Sequence, residues 1–342
     1  MKFKALPILV LMSLMVVSAK ATIWTVDNKP ESPAHFKDLQ AAIDSAVVAD
    51  GDTLYVSGSQ NNYGVIVLNK RLVLIGAGYN PNSEQLKTQV NRIELEYIIE
   101  SNYAGDDTIS SPANSHIMGF DFTYGINSQD GIGNIHLERC HVQSIDIKGH
   151  SWVVKNNIHQ GNININDDVT NTLILNNIML ARINGACYSV TIKNNLFFKN
   201  AFSNVNNSLI SNNIFLERTD GVSNSTFRNN LSYGSADYTF DYGDNTASNN
   251  IVNQDPLFVQ AESTEWDWEN DFHLAEASPG HQAGTDGKNV GIYGGTHPFP
   301  QSGDELYSGM PSIPQIIEME VINNILPPGG ELKIQVKARH QE

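Results

Sequence analysis

Between residues 156 and 250 an Asn-Asn step returns six times, and nothing else in the chain restricts its fold as strongly. The second Asn falls at 157, 177, 195, 213, 230 and 250, at intervals of 20, 18, 18, 17 and 20 residues. Each step follows a short apolar run, such as Leu173-Ile-Leu or Leu209-Ile-Ser, and precedes an Ile or Leu. Two earlier segments keep the phase with other residues: Ile117-Met-Gly119-Phe120 and Ile135-His-Leu-Glu-Arg139-Cys140. A fixed period of this length marks a solenoid, in which each repeat buries its apolar face only against its neighbours. With strands of ~5 residues, a rung of about 18 holds three short strands and three turns.

The two columns of the step have different chemistry. The first reads Gly119, Arg139, Asn156, Asn176, Asn194, Asn212, Asn229, Asn249. Gly and Asn tolerate a left-handed backbone at least cost, so this column is expected to form a tight corner. The second reads Phe120, Cys140 and then six asparagines. Phe and Cys are usually buried, so this column is placed inside, its amides bonded to one another and to the corner backbone. The cysteines, Cys140 and Cys187, are 47 residues apart. At ~4.8 Å per rung that is roughly 10–14 Å along the axis, beyond the ~7 Å a disulfide spans. Two free, largely buried thiols are expected.

These rungs resemble the pectate-lyase-like right-handed parallel β-helix superfamily, and in particular its secreted bacterial members of undetermined activity. Phe36 to Ala46 reads as an amphipathic helix, followed by Gly51-Asp-Thr-Leu-Tyr-Val56 and by an early rung at Leu72 to Gly78. The resemblance implies that this helix caps the open amino end of the solenoid. Asp255-Pro-Leu-Phe258, Phe272-His-Leu274, Ser278-Pro279 and Asn289 to Gly295 resemble the closing segment of exported β-helices. The fold expected is therefore all-β, a right-handed parallel β-helix with an N-terminal capping helix and a C-terminal β-hairpin.

Residues 1–21 read as a signal peptide: Lys2 and Lys4, an apolar run from Ala5 to Val17, and the Ala19-Lys20-Ala21 cleavage pattern. The solenoid is assigned to 22–300. Residues 301–342 are assigned to a linker and a hairpin docked on the solenoid or on a partner, since Ile317, Met319 and Val321 alternate with Glu318 and Glu320, and Leu332, Ile334 and Val336 with Lys333 and Lys337. Two strands are too few to stand alone. The expected location is outside the cytoplasm: extracellular, cell-surface or periplasmic. The net charge of −16 becomes −19 once Lys2, Lys4 and Lys20 are removed. Such a chain repels nucleic acid and anionic lipid, and no segment after the leader is apolar enough to span a membrane. A glycan is the expected partner.

Three groups of residues are candidates for chemistry. Asp146, Lys148 and His150 alternate, and Asp167 and Asp168 follow one rung later with Arg182 beyond. A Lys or His base beside carboxylates suits β-elimination, so Lys148, His150 and Asp168 are the catalytic candidates. The galacturonan hydrolases of the superfamily pair N-T-D with D-D and G-H-G; here Asp167-Asp168 stands without the rest, and Gly149-His150 precedes it. Trp266 and Trp268 are the carbohydrate-binding candidates, since two rings at i and i+2 can face a sugar. Asp267, Glu269 and Asp271 suit Ca²⁺, but Phe272 occupies the position a calcium loop gives to Gly, so neither a metal nor a cofactor is assigned. Tyr238, Phe240 and Tyr242 alternate as well and read as an edge strand covering the core. Asn206-Asn-Ser208 and Asn224-Ser-Thr226 match the glycosylation acceptor pattern and are read as parts of the repeat.

Rungs of 17 to 20 residues leave almost no length for the long turns that wall a catalytic cleft. The longer irregular stretches, 79–115 and 260–288, are expected toward the two ends. A carbohydrate-binding or structural surface module is therefore preferred, with a polysaccharide lyase or glycoside hydrolase of atypical site as the alternative.

Overall fold

The computed structural model describes residues 21–81, 86–101, 107–185, 188–234, 239–261, 265–301, 306–307, 309–311, 314–323 and 329–339. Residues 1–20, which hold most of the segment read as a signal peptide, and Cys187 lie outside these residues.

The body is an all-β parallel β-helix. One face is an 11-stranded parallel sheet that begins at Ile23–Val26 and ends at Thr246–Ser248, one strand per rung. A second sheet contains the long strand Asp121–Ser128. In later rungs the chain bends at the corresponding place and two short strands replace it. His141–Val142, Ile158–His159, Ile178–Met179, Leu196–Phe197 and Ile214–Phe215 stack on one side of the bend. Ser144–Ile147, Ile163–Ile165, Ile183–Asn184 and Phe202–Ser203 stack on the other. The rungs that begin at His136, Val153 and Leu173 thus have the three strands expected.

The core is built from columns in strict register. In the first sheet Leu54, Leu74, Ile117, Leu137, Val154, Ile174, Ile192, Ile210 and Phe227 lie one above another, all with zero exposure. Ile93, Ile126, Ile145, Ile163, Ile183 and Phe202 form the matching column beyond the bend. Full burial of each such side chain contributes about 1.5–3 kcal/mol.

Both columns of the Asn-Asn step behave as their chemistry requires. The first is left-handed throughout: φ is 77° at Gly119, 52° at Arg139 and 52–59° at the six asparagines. The second is an inward amide ladder. Asn157 Nδ2 donates to Asn177 Oδ1 at 3.1 Å, and Asn177, Asn195, Asn213 and Asn230 repeat the bond to the next rung at 3.0 Å. Each Nδ2 also donates to a strand carbonyl of the preceding rung, as Asn195 does to Ile174 O at 2.9 Å. Each Oδ1 also accepts the backbone N–H of the previous Asn. The buried amides are saturated. Cys140, a free and fully buried thiol, begins the ladder by giving its backbone N–H to Asn157 Oδ1.

A second left-handed corner runs at the same period: Asn114, Asn134, Ser151, Asn171, Ser189, Asn207, Asn224 and Asp244, with φ between 48° and 67°. Ser and Asp dilute the Asn in this column, which hides it in the sequence. Asn224, read above as part of the ladder, belongs here and is exposed.

The closing segment does not stay at the far end. After the last rung the chain turns back and runs along the outside of the first corner toward the early rungs. Corner side chains hold it by its backbone: Asn229 Nδ2 donates to Ala283 O (2.8 Å), Asn176 Nδ2 to Ile292 O (2.8 Å), Asn156 Nδ2 to His297 O (3.0 Å) and Arg139 Nη1 to Met310 O (2.8 Å). Under this strap lies a second apolar cluster, in which the outward residues Ile158, Ile178, Leu196, Ile214 and Leu231 pack against Phe272, Val290, Ile292, Phe299 and Tyr307.

At the amino end the helix spans Leu39–Asp44, shorter than the run from Phe36 to Ala46, because Phe36 bridges to Val26 as extended chain. Asp38 caps it, and Leu39, Ala42 and Ile43 enter the core. At the carboxyl end Gln315–Val321 pairs antiparallel with Ile334–Arg339, Glu318 opposite Lys337. Met319, Val321, Ile334 and Val336 are exposed, so the solenoid does not cover this hairpin's apolar side.

Candidate functional site

The return of the chain builds a groove over the middle rungs. Phe258–Gln260 and Asp271–Leu274 form an antiparallel pair. Within the connection Asp267 Oδ1 accepts the Glu269 N–H at 2.8 Å, tightening a turn that sends the neighbouring tryptophans toward the solenoid. Trp266 stacks on Phe272 (5.8 Å, 17°) and meets Phe198 and Tyr307 edge-on at 6.0 and 4.9 Å. Trp268 packs against His141 (5.6 Å) and Tyr79 (6.2 Å). Both rings are half-buried. Trp266, with Leu180, Phe198, Lys199 and Glu265, lines an open groove of about 350 Å³. Trp268 does not line it; its ring is taken up by packing.

The three alternate carboxylates near the tryptophans do not converge. Asp267 serves the turn, and Asp271 Oδ1 lies 2.6 Å from His273 Nδ1. Among the described residues no three His, Cys, Asp or Glu side chains are placed to hold a metal ion. Phe240 is fully buried and stacks on Phe227 at 5.1 Å, closing the core; Tyr242 is half-buried beside it, and Tyr238 lies outside the described residues.

The catalytic candidates fall elsewhere. The strand that carries Asp146 ends at Ile147, so Lys148 and His150 follow it into a bend and do not share its face. Gly149 passes too close to the Ile132 carbonyl for any side chain, which forces the bend. His150 Nδ1 accepts the Thr170 N–H at 3.2 Å, and Asp146 Oδ1 accepts Asn164 Nδ2 at 2.8 Å. Asp167, Asp168 and Arg182 are exposed. Among the described residues no hydrogen bond or ion pair joins Lys148, His150 and Asp168.

Two charged clusters that the spacing argument passed over flank the first corner instead. On the outer face of the first sheet Glu138, 6% exposed, sits 2.6 Å from Lys155 Nζ and 2.9 Å from His116 Nε2. His116 and His136 are in register on adjacent strands, ring to ring at 5.6 Å. Burial alone would raise the Glu138 pKa; His116 and Lys155 outweigh it and bring the carboxyl down to about 2. Around the corner Asp121 is bound by His141 Nδ1 (2.7 Å) and Lys87 Nζ (2.6 Å). Here too the partners override burial and lower the pKa. The signal for this second cluster was present: Asp121 and His141 occupy the outward column that later rungs fill with Ile158, Ile178 and Leu196. Both acids are held ionised, so neither is a proton donor at neutral pH.

No family model matches the chain, and no curated protein matches it. Among solved structures it is similar to a family 28 exopolygalacturonase from Yersinia enterocolitica, at 12% identity and a TM-score of 0.30. The match covers 69% of this chain and 66% of that one, just under two thirds of its length. The class defined by the chain's own coordinates is a parallel β-helix with an external strap.

Proposed function

We propose that this is an exported, right-handed β-helix that binds a neutral glycan in the Trp266 groove and does not hydrolyse it. Right-handed winding is what parallel crossovers adopt almost without exception. The short amino-terminal helix serves as its cap, and the carboxyl-terminal hairpin meets a partner. The observation that carries the reading is the groove itself: an aromatic wall of Trp266 over Phe198, with Lys199 and Glu265 at its edge, open to an extended ligand. The paired carboxylates Glu138 and Asp121 support binding over hydrolysis, since a glycosidase needs one carboxyl with a raised pKa and both are lowered. A strongly acidic chain favours neutral over uronic glycans.

The test is a titration of the mature protein with hydroxyethylcellulose, galactomannan and polygalacturonate by calorimetry, with reducing ends and ultraviolet absorbance followed in parallel. Saturable binding to a neutral polymer, with the share held by the Trp266 groove lost in Trp266→Ala and without product, is the expected result. Turnover of any of the three overturns the binding reading in favour of a lyase or hydrolase.

A further inference from the structure

A second open depression lies at the second left-handed corner, across the first sheet from Trp266. It measures about 580 Å³ and is open to solvent. Asn171, Ser189, Asn207 and Asn224, one from each of four successive rungs, mark its length. At ~4.8 Å per rung they span about 14 Å along the solenoid axis. Leu209, 41% exposed, offers apolar floor between them.

We propose that this groove is a second glycan site, which takes a neutral polysaccharide lying along the axis; it rests on the reading of a glycan as the partner. Three features carry it. Among the described residues no Asp or Glu lines this groove in a chain whose net charge is −16, yet Arg228 does. Among the described residues, nothing pairs with the Arg228 guanidinium or with the side-chain amides of Asn171, Asn207 and Asn224. The corner that presents them is rigid, because the Ser208 N–H donates to Ser225 Oγ (3.0 Å) and the Ser225 N–H to Asn245 Oδ1 (2.9 Å) inside it. Amides that both donate and accept, repeated at one spacing on a fixed backbone, match the hydroxyls of an extended sugar chain at little ordering cost. With the Trp266 groove on the far side of the sheet, one rigid rod holds two polymer chains.

Arg228→Ala combined with Asn207→Gly tests this, since Gly keeps the left-handed φ of 48° at position 207. The mature protein, this double variant, Trp266→Ala and the triple variant are titrated with hydroxyethylcellulose, galactomannan and polygalacturonate, and light scattering follows polymer bridging. The inference expects the double variant to keep its melting temperature and to lose the share of the calorimetric stoichiometry that this groove holds, and Trp266→Ala to lose only the other share. It also expects the triple variant to bind a neutral polymer about tenfold or more weakly, and the intact protein alone to bridge chains. A double variant that binds and bridges like the intact protein overturns the second site while leaving the Trp266 site standing. Binding that survives Trp266→Ala unchanged and vanishes in the double variant overturns the Trp266 site and supports this one. Binding of polygalacturonate alone overturns the assignment to neutral glycans.

Discussion

Glu138 and His159 are the residues at which pH enters the fold, and they act in the same direction by different routes. Glu138 titrates at about 2 in the folded chain against an ordinary 4.5, so its stabilisation is complete above pH 4.5 and is lost as pH falls from there toward 2. The shift corresponds to on the order of 3 kcal/mol. Glu138→Gln is expected to lower the melting temperature at pH 7 and to narrow the gap to wild type at pH 3, as read by calorimetry at both pH values. His159 stands in the inward column between Val142 and Met179, fully buried. Burial above all, then the nearby His141, pushes its pKa down to about 3. The folded state resists its protonation, so stability is intact above pH 6.5 and declines as pH drops below that toward 3. His159→Met places a residue of similar size into a column that already holds Met179. This variant should be more stable than wild type at pH 5, and a melting temperature no higher there would contradict the assignment.

At the scale of an element, the amide ladder is a cooperative device. Removing one rung breaks bonds on both of its neighbours. Asn195→Leu takes the acceptor from the Asn177 N–H and Nδ2, and takes a donor from Asn213 Oδ1. Unsatisfied buried groups cost about 1–3 kcal/mol each, so the expected loss is roughly 3–6 kcal/mol by denaturant unfolding. The adjacent Asn194 behaves differently. Asn194→Gly keeps the left-handed corner and gives up only the 3.2 Å bond to Gly291 O, an expected cost of about 1 kcal/mol. A ratio reversed between these neighbours would show that the corner, and not the ladder, holds the rungs in register.

The ladder and its corner were legible in sequence because a solenoid repeats each physical demand at one period. Six asparagines in phase betray an inward polar column, and Gly119 in that phase betrays a left-handed one. The second corner escaped notice because Ser151, Ser189 and Asp244 satisfy it as well and interrupt its asparagines. The placement of Lys148 and His150 was hidden for a related reason. Alternation implies a shared face only while the strand continues, and here it ends at Ile147, where Gly149 meets a carbonyl of the neighbouring rung.

Across the whole molecule, the strap decides which surfaces are free. It covers the outward column Ile158, Ile178, Leu196, Ile214 and Leu231, which would otherwise be a long apolar stripe. Ending the chain after Ser278 should expose that stripe, with strong binding of a hydrophobic dye and association at micromolar concentration. A truncated chain that stays monomeric and dye-free would show that the solenoid alone buries its apolar surface. The sequence by itself determined the parallel β-helix, its short rungs and its inward amide ladder. All of these follow from forces that repeat every 17 to 20 residues. It did not determine where residues 255–311 run, because contacts such as Arg139 to Met310 or Trp268 to Tyr79 join positions far apart and occur once. Only the tertiary structure decided that the tryptophans lie over the solenoid's side and that its charged clusters flank the first corner. A groove made by the chain returning on itself leaves no period to read.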